Sequence, residues 1–268
     1  MGSRTFRFVV CLLPAAASAH VLYLMPERFA VEPGALVEIR FENGDNFPEG
    51  EAPVRPERLR SLRLHSAGGE AAFENVLAGE RRTTARVRMP GAGTAILTAE
   101  TLPRFIELAP EQFHSYLKHE RLDAVLAWRE RAGETAKPGR ELYSKYVKAL
   151  IHGGRPDETY RRQVGFIVEF VPEADPFELR PGDELPVRLL FRGKPAADVA
   201  VQSAWLENGA GRIEVVGRTD SNGQIRVPLR ATGAHRLHAI VMERSSGPEA
   251  ADWESFWASL TFEIRGVR

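Results

Sequence analysis

Cysteine is almost absent, since the 268 residues hold one, Cys11. It sits between Val9-Val10 and Leu12-Leu13, too early and with neighbours too bulky for a lipoprotein cleavage site. Disulfide staples are thereby excluded from the rest of the chain, which must rely on its own apolar core and is long enough to do so. Net charge is missing as well: 36 basic residues balance 36 acidic ones. That balance argues against nucleic acid or an anionic membrane as the main partner and for a small ligand or a protein. No apolar run approaches the roughly 20 residues of a permanent transmembrane helix. A Gly-x-Ser-x-Gly elbow, a His-Glu-x-x-His helix and a phosphate loop are all lacking, and no spacing singles out a pair of carboxylates for catalysis. A noncatalytic protein is the expectation.

The first nineteen residues carry a pattern of their own. Arg4 and Arg7 form a charged start, 8–17 an apolar stretch, and Ala17-Ser18-Ala19 a small-residue cleavage site, which together read as a secretory signal peptide over 1–19 and place the protein in the periplasm. The apolar stretch is too short to remain as a permanent membrane insertion. Cleavage there leaves His20 first, and a free α-amine next to an imidazole is a ready chelate for nickel, cobalt or copper.

Beyond the leader, patterns divide the chain in three. Short apolar or alternating runs at 35–41, 60–65, 83–89 and 93–99, separated by Pro and Gly, predict strands of an N-terminal β-sandwich over 20–108. Within 109–155 the period changes: Phe113, Leu117, Leu122, Val125, Leu126 and Trp128 recur at helical spacing, and Leu142, Tyr146 and Leu150 stand four apart, so two helices are expected. Seven candidate strands follow, at 165–171, 184–191, 199–205, 213–216, 225–229, 235–242 and 256–264. They suit an immunoglobulin-like sandwich over 160–268, with Asp220-Ser-Asn-Gly223 as a strong turn signal. The expected fold is mainly β: two immunoglobulin-like β-sandwich domains with a helical segment between them.

Several stretches taken together are similar to a family of exported bacterial proteins: His20-Val-Leu-Tyr-Leu-Met-Pro26, Leu142-Tyr-Ser-Lys-Tyr-Val-Lys-Ala-Leu150, Val168-Glu-Phe-Val-Pro-Glu-Ala-Asp-Pro176, Phe191-Arg-Gly-Lys-Pro195 and Asp252-Trp-Glu-Ser-Phe-Trp257. That family resembles the periplasmic, substrate-facing component of cobalt or nickel uptake systems. The resemblance spans nearly the whole chain after the leader. It implies a periplasmic two-domain β protein with a transition-metal role, a membrane transporter component as partner, and a mature chain that begins with histidine, which maps to His20.

The other histidines are scattered, with no spacing that makes a ligand pair. His235 and His238, three apart on a strand, point to opposite faces. His114 and His119 lie well apart around a helix. His152 reads as a helix cap before Gly153-Gly154, and His65 as loop surface. Metal ligands are therefore expected at His20, completed by His238 or His114 from the folded body. Trp253 and Trp257 share a face of an extended chain and read as core anchors. The leading expectation is a periplasmic nickel, cobalt or copper binding protein serving metal uptake. The alternatives are a noncatalytic module that binds a cell-envelope protein or glycan, and, ranked last, a copper-dependent oxidase using the same amino-terminal chelate.

Overall fold

Runs of β-branched and aromatic residues between Gly- and Pro-rich turns become strands along most of the chain. The computed structural model describes residues 20–247 and 251–266, so the expected signal peptide, 1–19, lies outside the described residues. In chain order the strands are β1 (Leu22–Pro26), β2 (Leu36–Asn43), β3 (Leu59–Ser66), β4 (Gly69–Ala72), β5 (Glu74–Ala78), β6 (Thr83–Arg88), β7 (Thr94–Thr101) and β8 (Arg104–Leu108). After helices α1 (Pro110–His119) and α2 (Asp123–Arg131) come β9 (Gly139–His152), β10 (Val168–Pro172), β11 (Glu184–Phe191), β12 (Lys194–Pro195) and β13 (Ala200–Glu207). The last four are β14 (Ala210–Arg218), β15 (Gln224–Pro228), β16 (Gly233–Arg244) and β17 (Trp253–Ile264).

These form three sheets. A large one runs β14-β13-β16-β17-β9-β7-β3-β4 with β8 against β9, and two small ones run β1-β2-β6-β5 and β10-β11-β12 with β15 on β11. The mainly β, immunoglobulin-like sandwich class is thus present, as expected. Leu22, Leu24, Val37, Ile39, Phe41 and Val87 of one small sheet pack on Leu64, Leu97, Val147 and Ile151 of the large sheet. Val168, Phe170, Leu185, Val187 and Val227 of the other join a second core with Leu237, Leu260 and Phe262.

The helical segment expected over 109–155 is helical only in its first half. There α1 buries Phe113 and Leu117, Tyr116 stacks on Trp257 with centroids 6.0 Å apart, and Trp128 meets Trp253 edge-on at 5.3 Å. Both tryptophans are core anchors, as their spacing predicts. The second expected helix is strand β9, which pairs parallel with β17 and antiparallel with β7. Leu142, Tyr146 and Leu150 do share a face, but residues four apart share a face in a strand as well as in a helix. Tyr143, Tyr146, Val147 and Ile151 favour the pleated form. Burial on both faces removes the alternation that would have marked a strand. From β9, Lys148 Nζ donates to Glu169 Oε2 of β10 at 2.9 Å, whereas Val147, Ala149 and Ile151 join the core with β1 and β2. The stretch expected to link two separate sandwiches is therefore a central strand of the sheet they share.

Candidate functional site

His20 stands two residues ahead of β1, where a loop and the large sheet meet. The loop after β2, 44–52, folds back on the strand it leaves. Glu51 and Ala52 N–H groups donate to Asn43 O at 2.9 and 3.2 Å, and Gly44 N donates to Val21 O at 3.0 Å. Buried Glu42 draws the loop in by accepting from Gly50 N at 2.8 Å. Two glycines permit this approach: a Cβ on Gly50 would lie 2.4 Å from Asn43 N, and one on Gly44 2.7 Å from Glu51 N. The fold-back sets two carboxylates against the His20 ring, with Nδ1 3.5 Å from Asp45 Oδ2 and 3.8 Å from Glu51 Oε2. Asn46 Nδ2 donates to the other Glu51 oxygen at 2.9 Å and fixes that side chain. Nδ1 itself is buried and lacks a hydrogen-bond partner.

Beneath His20 lies Lys145 of β9, whose ammonium donates to His20 O and, at 3.1 Å, to Asn43 Oδ1. Burial, reinforced by Arg58 and opposed by Asp45, pushes the ammonium down to about 7. A pocket of about 350 Å³ opens beside it, lined by His20, Arg55, Arg58, Arg104, Tyr143 and Lys145 among others.

Behind Lys145 the same face of the large sheet carries a buried polar layer. Trp257 Nε1 donates to Ser255 Oγ at 2.9 Å, Ser255 Oγ donates to Glu141 Oε1, and Tyr116 OH donates to that same oxygen at 3.1 Å. Full burial raises the Glu141 carboxyl to about 7 despite these donors. Burial also holds the Tyr116 hydroxyl well above its ordinary range. Glu120 goes the other way: burial pushes it up, but contact with His238 pulls it below the usual carboxylate range. Arg236 is 1% exposed, with its guanidinium 5.0 Å from the Tyr23 ring centroid. Such a concentration of displaced titration behaviour beside a pocket makes this region the candidate site.

The structure does not bring the three expected metal histidines together. His238 Nδ1 contacts Ala258 O at 3.1 Å, and its Nε2, buried without a hydrogen-bond partner, lies 3.4 Å from Glu120 Oε2. It faces the same side as Lys145, but Trp257 stands between them, 5.3 Å from the His238 ring and 5.7 Å from Lys145 Nζ. His114 is exposed on α1 and joins no metal-ligand cluster among the described residues. Neither fits as a partner for His20. Two further readings are corrected. His65 is buried on β3, between Glu70 at 3.0 Å and Thr98 Oγ1 at 3.2 Å. His152 ends a strand rather than a helix, and its ring stacks on Phe177 at 5.2 Å. His235, stacked on Phe262, is structural. Asp45, Glu51, Lys145, Glu120 and Glu141 escaped the sequence reading. The one local signal was the run Glu42-Asn-Gly-Asp-Asn46, where amides, acids and glycine gather in a loop.

Fold and site together define a mainly β protein of stacked sheets with a polar cavity beside the start of its first strand. The chain belongs to the family described as a domain of unknown function (DUF4198), whose profile matches residues 17–243. No curated protein matches it. Among solved structures it is similar to the D0-D1 domain of intimin, with 11% identity, a TM-score of 0.22, and 90% of this chain and 97% of that one covered. Fibronectin(III)-like modules of Clostridium thermocellum CbhA match at 9% identity and a TM-score of 0.22, covering 90% of this chain and 94% of theirs. The MG0-NIE-MG1 span of Escherichia coli alpha-2-macroglobulin matches at 12% identity and 0.22, covering 90% and 72%. With scores this low the architecture stands on the strand pairing described above.

Proposed function

We propose that this is an exported periplasmic protein that binds a transition metal, nickel, cobalt or copper, at its processed amino terminus and hands it to a membrane transporter. The observation that carries the reading is His20 Nδ1, buried, without a hydrogen-bond partner, and facing the carboxylates of Asp45 and Glu51. Two donors bonded to one cation at about 2.1 Å with a tetrahedral angle stand about 3.4 Å apart. The spacings of 3.5 and 3.8 Å are close to that separation and long for hydrogen bonds. Among the described residues no group of three or more His, Cys, Asp or Glu side chains is placed to hold a metal ion by itself. The missing donor in this reading is the α-amine that leader cleavage frees, which closes a chelate with Nδ1 of the same residue. Two nitrogens and one or two carboxylate oxygens suit a borderline divalent cation. Asp45 and Glu51 replace His238 and His114 as the partners of His20.

Titration of the processed protein with Ni(II), Co(II) and Cu(II) tests the assignment. Asp45→Asn with Glu51→Gln should weaken binding by about ten- to a hundredfold, and His20→Ala should abolish tight binding. Unchanged affinity in either variant sinks the site. The second reading, a noncatalytic envelope-binding module, is favoured by Ile213 and Val215, 44% and 47% exposed on edge strand β14. Protein recovered from the periplasm without bound metal, and unable to take it up, would favour that module.

A further inference from the structure

Many of the arginines among the described residues are paired with carboxylates. Arg140 grips Asp252 at 3.0 Å, Arg188 meets Glu173 at 2.6 Å, and Arg212 meets Glu207 at 2.9 Å. The cations gathered at the pocket beside His20 are not so paired. Arg55, Arg58, Arg104 and Lys145 all line it, no carboxylate side chain does, and none of the four cations makes a salt bridge among the described residues. Arg58 is set in place by backbone alone, its guanidinium donating to Leu102 O at 2.7 Å and Pro103 O at 3.1 Å. Lys145 is 7% exposed and held by neutral acceptors, His20 O and Asn43 Oδ1. Three guanidiniums at one cavity beside the buried Lys145 amine, in a chain of zero formal net charge, make a positive field. Its cost is offset when an anion enters.

We infer that this pocket binds a small organic anion bearing two or three carboxylates. A cavity of about 350 Å³ is within the range of small-ligand sites. Cations spread around its wall match charges spaced along a carbon frame, whereas a single inorganic phosphate would leave most of the space unfilled. Arg58 and Arg104 offer the planar donor forks that carboxylates accept in pairs, and Lys145 adds an amine at the base. Tyr143 supplies a phenol for a further hydrogen bond. Because the pocket shares His20 with the metal site, a bound carboxylate lies next to that site, but the inference stands whether or not His20 holds a metal.

The test is calorimetric titration of tricarballylate, acetate and inorganic phosphate into the protein as recovered from cells, stripped of metal on a chelating resin and with its amino terminus read by mass. Tricarballylate should bind one to one and at least about tenfold more tightly than acetate or phosphate. Arg104→Gln changes an exposed side chain and should weaken tricarballylate about tenfold without altering the melting temperature. Arg58→Gln should do the same to affinity. Arg226→Gln, at an exposed arginine on β15, should leave it unchanged. Absence of tricarballylate binding, phosphate binding as tight as tricarballylate, or equal losses in the Arg104 and Arg226 variants would each overturn the assignment.

Discussion

Two buried ionisable residues on β9 set the terms at the scale of single side chains. Glu141 has its carboxyl raised to about 7 from an ordinary 4.5 by full burial. Between those values the folded protein keeps a proton that the unfolded chain has lost. Its contribution to stability is therefore complete below pH 4.5 and declines as pH rises to about 7, by about 3 kcal/mol in all. Glu141→Gln removes that dependence. Melting curves at pH 5 and pH 8 should show the wild type losing several degrees more than the variant, and parallel losses would contradict the burial argument. Lys148, 1% exposed and 2.9 Å from Glu169 Oε2, is the other case. Lys148→Ala leaves the buried Glu169 carboxylate without its cation, held only by the Val164 and Gly165 N–H groups, and should cost about 3–5 kcal/mol. Pairing Lys148→Met with Glu169→Leu should recover most of that in urea unfolding.

At the scale of elements, the loop 44–52 and strand β9 do the positioning. Gly50→Ala places a methyl where the Asn43 amide stands, so the loop must shift, and the carboxylates of Asp45 and Glu51 move with it. A loss of about 1–3 kcal/mol in stability is expected, along with weaker metal binding in the same titration used for His20. Strand β9 gives a separate test. As a central strand its Tyr146 and Val147 amides should be among the slowest to exchange with deuterium, whereas a helical linker would exchange early. Much of the strand pattern was legible in the sequence: 184–191 matches β11, and Asp220-Ser-Asn-Gly223 turns with Gly223 N donating to Asp220 O at 2.9 Å. What was not legible follows from period and distance. Leu142, Tyr146 and Leu150 satisfy both helix and strand, and only pairing with β17, more than a hundred residues away, decides between them. The site was legible only at His20. Asp45 and Glu51 reach it through a loop fold-back, and Lys145 lies 125 residues away in sequence, a separation that local spacing cannot bridge.

At the scale of the whole molecule, the two sandwiches share one sheet, with β9 joining β7 on one side to β17 on the other. Thermal unfolding should accordingly be a single cooperative transition rather than two, and calorimetry showing two separable transitions would contradict the shared-sheet architecture. That continuity also places His20, the basic pocket and the buried layer around Glu141 on one face of a single sheet, so the proposed metal and anion sites rest on the same support. The central claim is the amino-terminal chelate, and one measurement reaches it most directly. It is calorimetric titration of Ni(II), Co(II) and Cu(II) into protein whose first residue is shown by mass to be His20, against protein carrying one extra residue ahead of it. Tight one-to-one binding by the first and its loss in the second is the predicted result; no binding by the correctly processed chain, or equal binding by both, would contradict it.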